Sequence, residues 1–510
     1  MAGLGAAHAL EAARRAAGPA APFDWLLYER AGYFGGKVRT ERFDGFVVEA
    51  GPDSFIVEKP WPLELARRVG IGERLLDSNE DVRRSYVFSG GRLHELPEGL
   101  ILMVPTRLVP FALSSLISVR GKLRMGLDLV LPRGPAGADE SLAHFVRRRL
   151  GGEALAKVAE PIVAGIHAGD PEAMSVRATF PMFLDMEREH RSLIVGMVAR
   201  RRARLRAART VPGVRGPQPR PPAPAGAAAA RRPRSYFLSF RTGLADLADA
   251  VVADLPPERL HAGLGVESLS AEPAAAAAGS AFCLRLSDGS ERVVQAVVLA
   301  APAFASAELL GGIAAAPAAA LASIPYVSTA TVSLGYRRAD VARPLRGFGF
   351  VVPRAEERDI MACTFSSLKF EGRAPDDALL VRAFAGRAGR EQAVGLPDDE
   401  LVGLVRAELA DILGLRAEPL FARVFRWPRG MPQYRVGHRE LIERVDRQIG
   451  ALPGVELAGG YLRGIGIGDC LREGAAAAAR ALAHVERTAA PAGSNAPGDL
   501  PAADGVEDRP

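Results

Sequence analysis

Hydrophobic and polar positions follow two different periods along the chain. Every second residue is apolar through Ala330-Thr331-Val332-Ser333-Leu334-Gly335-Tyr336 and through Gly347-Phe348-Gly349-Phe350-Val351, which predicts strands with one buried face. Residues 361–365 and 378–384 extend that sheet. A spacing of three to four takes over at 245–255 and 398–415 and predicts helices. Residues 83–97 read as a hairpin turning at Gly90-Gly91, and 282–286 with 293–299 as another turning at Asp288-Gly289. Residues 25–30 are a strand ending in an acid, and 1–13 read as a helix from the start. Residues 100–132 mix Leu, Met, Val and Pro with Arg107, Arg120, Lys122 and Arg124. They predict helices that either lie in a lipid interface or form a buried hairpin.

Composition narrows the class. The 510 residues allow several domains, and 48% hydrophobic with 24% charged residues is globular. Aromatics at 6% do not favour a base-stacking nucleic-acid surface. The net charge of +6 comes from one place: residues 200–234 hold eleven arginines and no acid, so the rest of the chain is acidic. That segment is rich in Pro and Arg and reads as a disordered insertion, like the Pro- and Gly-rich tail. Cys283, Cys363 and Cys470 are far apart, without metal-site spacing, which suits a reducing compartment. The early apolar residues are interrupted by His8, Glu11 and Arg14, unlike a signal peptide, and no transmembrane span is expected.

The chemistry-bearing stretch lies near the C-terminus: Val455-Glu456-Leu457-Ala458-Gly459-Gly460-Tyr461-Leu462-Arg463-Gly464-Ile465-Gly466-Ile467-Gly468-Asp469. It reads as strand, glycine-rich turn and a helix starting around Asp469. Free N–H groups at such a helix start attract an anionic group. By itself the stretch is equally a strand–turn–helix that needs its glycines only to pack. Near the other end stand Tyr28-Glu29-Arg30, then Gly35-Gly36-Lys37-Val38-Arg39, then Gly51-Pro52-Asp53-Ser54. Further along come Glu160-Pro161-Ile162-Val163-Ala164-Gly165-Ile166-His167-Ala168-Gly169-Asp170-Pro171 and Pro432-Gln433-Tyr434-Arg435-Val436-Gly437-His438.

Together these pieces resemble the flavin-dependent amine oxidase superfamily, and within it the protoporphyrinogen oxidase family, from Gly3 to about Arg487. The resemblance implies an α/β fold: a Rossmann-like FAD-binding domain, an α+β substrate domain and a helical membrane-contacting region. The FAD domain would comprise 1–82, 235–303 and 431–488. The helical region would be 83–199, the insertion 200–234, the substrate sheet 304–430 and the tail 489–510. A dinucleotide-binding unit starts with a strand and G-x-G-x-x-G before its helix. Here Gly3 would be the third glycine, and the strand with its first two glycines is expected upstream of a start codon placed too late. The chain as given is therefore expected to bind FAD poorly. By resemblance Glu29, with Arg30 beside it, would grip ribose, and Gly35, Gly36, Gly51, Pro52, Asp53 and Ser54 would follow the pyrophosphate and ribitol. Lys37 and Arg39 would neutralise phosphate, unless they form a solvated basic loop. The backbone of Val266, in a strand at 264–266, would hold adenine, with Ala301 nearby. Gly459, Gly464, Ile465, Gly466, Ile467 and Asp469 would face the isoalloxazine.

The implied reaction is oxidation of protoporphyrinogen IX to protoporphyrin IX in heme biosynthesis, by hydride transfer to the flavin and release of hydrogen peroxide from oxygen. Coproporphyrinogen III on the same scaffold is the alternative, and an FAD-poor binding protein a third. Arg84 and Ser85 stand where relatives hold a propionate. Gly165, His167, Ala330, Val332 and Met361 are further substrate candidates, with packing the preferred role for His167. No catalytic acid, base or metal ligand is assigned. The expected setting is cytoplasmic, with peripheral contact on the inner membrane face. A homodimer is compatible with it and nucleic acid is not a partner.

Overall fold

The computed structural model describes residues 1–489 apart from 98, 102, 136, 138, 211–234 and 272–281. Two short parallel pairs carry the cofactor-type layer. Leu27–Glu29 pairs with Leu260–Ala262, and Val297–Leu299 pairs with Val455–Leu457. Parallel strands are buried on both faces, so helices must cover them. Helices Ala2–Ala17 and Ile467–Ala489 do this and pack on each other. Their backbones nearly touch, because a Cβ at Gly474 would run into the Ala2 carbonyl and one at Gly5 would come within 2.9 Å of the Leu471 oxygen. The two parallel pairs do not join among the described residues. Gly3 lies between them: a Cβ there would be 3.4 Å from Leu27 and 3.5 Å from Ala300.

The larger layer is a seven-stranded sheet. Its order is Phe421–Pro432, Tyr326–Arg337, Ala378–Ala385, Ile360–Thr364, Gly349–Val351, Ser85–Ser89 and Arg92–Glu95. The early hairpin thus adds to the sheet edge, Ser85 running parallel to Gly349. Helix Asp398–Leu413 covers one face, burying Leu401, Val405 and Leu409 against Ala330, Val332 and Leu334. The other face looks towards the cofactor-type layer: the Thr331 hydroxyl donates to the Ala50 carbonyl at 2.9 Å.

A helical region from Leu108 onward has its own core around Phe145, Val146, Phe183 and Met186. The buried Arg149 pairs there with buried Asp128, whose other oxygen accepts from the Ser192 hydroxyl (2.6 Å) and the Ile194 amide (3.0 Å). A buried charge survives only with such complete pairing.

Three expectations change. Residues 293–299 do not form one strand: Glu291–Val294 closes the hairpin with Phe282–Leu286, while Val297–Leu299 joins the C-terminal strand in parallel. The predicted strand at 264–266 instead begins at Val266 and runs to Ala271. The basic stretch begins as helix, because Leu193–Thr210 continues through its first eleven residues. The remainder of that stretch and the tail lie outside the described residues. Within the stretch expected to touch a membrane lie the short helices Leu108–Leu113 and Val119–Gly126.

Candidate active site

The segments singled out at the two chain ends meet around one cavity of about 2630 Å³. Gly3, Glu29, Arg30, Gly35, Gly36, Lys37, Gly51, Pro52, Asp53, Ser54, Val266, Ala301, Gly459, Gly464, Ile465, Gly466, Ile467 and Asp469 all line it. Ser85, Gly165, His167 and Met361 line it too. Arg84, Ala330 and Val332 do not. Side chains alternate across a strand, so one residue of register decides which face they take. Ala330 and Val332 point under helix Asp398–Leu413, and their neighbours Thr329 and Thr331 face the cavity. Arg84 turns to Glu95 (3.7 Å), leaving Arg83 and Ser85 on the cavity side. Arg39 is also elsewhere, paired with Glu41 at 3.1 Å. Lys37 lines the cavity, but its ammonium donates to the Gly430 carbonyl, and burial lowers its pKa.

Two helix starts converge here. Ala2–Ala17 has no acid in its first turn and no side-chain cap, so its first N–H groups stay available. Ile467–Ala489 carries Asp469 in its first turn, and the Asp469 carboxylate accepts from the Gly466 amide at 3.2 Å. Lys59 bonds the same oxygen, and Arg472 approaches the other at 3.8 Å. The turn before the helix needs glycine at Gly464, whose φ is 144° with Asp469 pressed against it.

Tyr434 pins this turn. Its buried hydroxyl donates to the Gly460 carbonyl (2.6 Å) and accepts from the Gly464 amide (2.8 Å), while its ring stacks on His438 at 4.1 Å. Burial pushes its pKa far up, so it stays a donor. The neighbouring Gln433 donates to the His167 carbonyl (3.0 Å), and the Ser175 amide donates to the Tyr434 carbonyl (2.8 Å). The two motifs at 160–171 and 432–438 are thus stitched to each other and to the glycine turn. His167 packs edge-on against Phe180 at 5.7 Å while lining the cavity. Burial, aided by Lys59, lowers its pKa to about 4, so the ring is neutral near pH 7.

Residues without any sequence signal complete the wall. Lys369 Nζ donates to both Asp53 oxygens (2.9 and 3.0 Å), and Arg382 lies 3.3 Å from Asp53 while donating to the Gly51 carbonyl at 2.7 Å. Burial alone would raise the Asp53 pKa; the two cations outweigh it and hold the carboxyl well below its usual range. Nothing near Asp53 in sequence announces partners more than 300 residues away. Lys59 was equally silent, and Tyr434 was visible only as a motif letter.

Comparison with known proteins decides what this geometry belongs to. The model of the family described as flavin containing amine oxidoreductase matches residues 1–482. This chain belongs to that flavoprotein family. It is 33% identical over 466 residues to the coproporphyrinogen III oxidase of Bacillus subtilis (strain 168), covering 91% of this chain and 93% of the relative. It is 29% identical to the chloroplastic protoporphyrinogen oxidase of Nicotiana tabacum, covering 86% and 78%. A crystal structure from Exiguobacterium sp. 255-15 superimposes with a TM-score of 0.78 at 30% identity, covering 95% of this chain and 97% of that one. As a flavin-dependent oxidoreductase the chain uses FAD, and its residues fit that cofactor. The start of Ala2–Ala17 offers N–H groups suited to a pyrophosphate, Glu29 ends its strand with its carbonyl accepting from the Leu264 amide at 3.0 Å, and a Cβ at Gly36 would meet no protein atom within 4 Å.

Proposed function

We propose that this flavoprotein oxidises a porphyrinogen to the porphyrin in heme biosynthesis, with coproporphyrinogen III preferred to protoporphyrinogen IX. Oxygen is the final acceptor and hydrogen peroxide the by-product. The observation that carries the reading is the continuity of one cavity from the glycine turn at Gly464 to an apolar chamber. That chamber is walled by Ile162, Ile166, Phe348, Met361 and Phe384. It has room for a tetrapyrrole beside a flavin. The order of the two substrates reverses the one suggested by the motifs, and rests on the identity to the Bacillus subtilis enzyme.

In this reading Gly3 and the start of Ala2–Ala17 hold the pyrophosphate, Glu29 the ribose and Val266 the adenine. Gly35, Gly36 and the loop from Gly51 to Ser54 follow the ribitol. Gly464 to Ile467, with Asp469 behind them, face the ring. When bound, FAD supplies the two-electron acceptor chemistry. The chain supplies position and dryness. Lys59, held by Asp469, adds positive charge beside the turn. Ile162, Gly165 and Ile166 give the chamber an apolar wall. No side chain is assigned as acid or base: a His167 pKa lowered to about 4 makes a weak base near pH 7, and Tyr434 is committed to the turn.

The short helices at 108–126 are proposed to dock on lipid. Val109, Leu113, Val119 and Leu123 are each about 70% exposed or more, an apolar grouping of the kind a lipid surface covers. Lys122 and Arg124 are tied to backbone carbonyls, so the contact is mainly apolar.

The test is turnover by FAD-loaded protein. With coproporphyrinogen III, porphyrin fluorescence is expected to rise with a higher kcat/KM than with protoporphyrinogen IX. A rise no faster than the protein-free blank with both substrates rejects the enzyme, and a preference for protoporphyrinogen IX rejects the substrate order.

A further inference from the structure

Helix Leu193–Thr210 presents one face to the cavity. Met197, Arg200 and Arg201 all line it, at the i, i+3, i+4 spacing that places residues on one side of a helix. Arg202 is equally exposed but does not line the cavity. The helix is held in place. A Cβ at Gly196 would come within 2.9 Å of Met186 on helix Pro181–His190, so the two helices lie close together. Pro181 and Met182, at the start of that neighbour, also line the cavity. Residues that are both exposed and cavity-lining mark where it opens to solvent, so the two arginines stand at its mouth.

Most other cations lining the cavity are engaged; Arg30, which lies against Gly265 and not on this helix, is the exception among the described residues. Lys37 bonds Gly430, Lys59 bonds Asp469, Lys369 and Arg382 hold Asp53, and Arg83 pairs with Glu80 at 3.0 Å. No described acid pairs with Arg200 or Arg201. Adjacent guanidinium groups repel each other unless an anion lies between or beside them. A planar, five-donor fork pairs bidentately with a carboxylate or a phosphate, and the carboxylates a tetrapyrrole would bring to this rim are the anions within its reach.

We infer that Arg200 and Arg201 form a carboxylate subsite at the cavity mouth that favours porphyrinogens with four propionates over those with two. This deepens the proposed function and rests on it for the identity of the substrate. A tetrapyrrole seated with its ring in the apolar chamber keeps its carboxylates at the rim. The dicarboxylate can turn both propionates inward or to one edge. The tetracarboxylate must leave acids at the opening, where an unpaired cation rewards them. Because the pair is exposed, each contact is screened and modest, and the two together are worth about five- to tenfold in binding.

The experiment measures binding as well as turnover, so that the subsite and the activity can fail separately. FAD-loaded wild type, Arg200→Gln/Arg201→Gln and Arg202→Gln are titrated with coproporphyrin III and with protoporphyrin IX, following protein and porphyrin fluorescence. The double variant is expected to weaken coproporphyrin III binding five- to tenfold and protoporphyrin IX binding less than twofold. Arg202→Gln removes a charge from the same helix and is expected to change neither. Arg200→Lys/Arg201→Lys is expected to recover part of the loss. In turnover the loss falls on KM, and raising salt from about 0.05 to 0.5 M erases the difference between wild type and double variant. Equal losses for both porphyrins, or the same loss in Arg202→Gln, overturns the inference. So does unchanged porphyrin binding with weaker association to anionic vesicles, which assigns the pair to lipid headgroups. Wild-type binding with no turnover sinks the proposed activity and leaves the subsite standing.

Discussion

Tyr434 is the residue on which the cofactor end of the cavity turns. Its hydroxyl satisfies the Gly460 carbonyl and the Gly464 amide, both partly buried in the glycine-rich loop. Tyr434→Phe keeps the ring stacked on His438 and removes only that oxygen. Leaving two buried groups unpaired costs about 1–3 kcal/mol. The variant is expected to lose that much in denaturant unfolding and to retain FAD roughly tenfold less tightly, read by flavin absorbance after gel filtration. Unchanged retention would mean that the loop holds its own shape. At this scale sequence went as far as motif and period allow. The glycines, Glu29 and Asp469 were recognisable from their type and spacing. The choice of Ala330 and Val332 over Thr329 and Thr331 was not, because an alternating pattern names two faces without saying which one a helix covers 70 residues later. The same one-residue ambiguity separated Arg84 from Arg83.

Among elements, the unjoined parallel pairs are the most consequential. Leu27–Glu29 and Val297–Leu299 each have a partner on one side only among the described residues, and both line the cavity beside Gly3. Parallel edges of this kind accept a further strand, which would bring a ladder of hydrogen bonds to each. The helices that cover these pairs give the test: a Cβ at Gly474 would run into the Ala2 carbonyl, so Gly474→Ala is expected to lower the FAD content of purified protein several-fold, and unchanged content sinks the idea. The helix and its glycine were legible because close packing demands a missing side chain. The split of 293–299 was not, because Gln295-Ala296 carries no turn signal and the parallel partner lies more than 150 residues on. The helix through Arg200 was misjudged from composition. Arg and Ala are strong helix formers, and repulsion among exposed arginines did not override that.

On the scale of the whole molecule, the α/β layers, the sheet and the helical region arrange the cavity between them, and an apolar face at 108–126 stands apart from it. Flotation with detergent-free liposomes is expected to carry the protein upward, and Leu113→Glu/Leu123→Glu to leave it at the bottom; wild type remaining at the bottom removes the lipid contact. No helix among the described residues is long and apolar enough to cross a membrane. The stitch running from the glycine turn through Tyr434 and Gln433 to His167 has a consequence for how the molecule fills. Displacement of the glycine turn pulls on the wall around His167 through these hydrogen bonds, so an occupant at one end of the cavity is felt at the other.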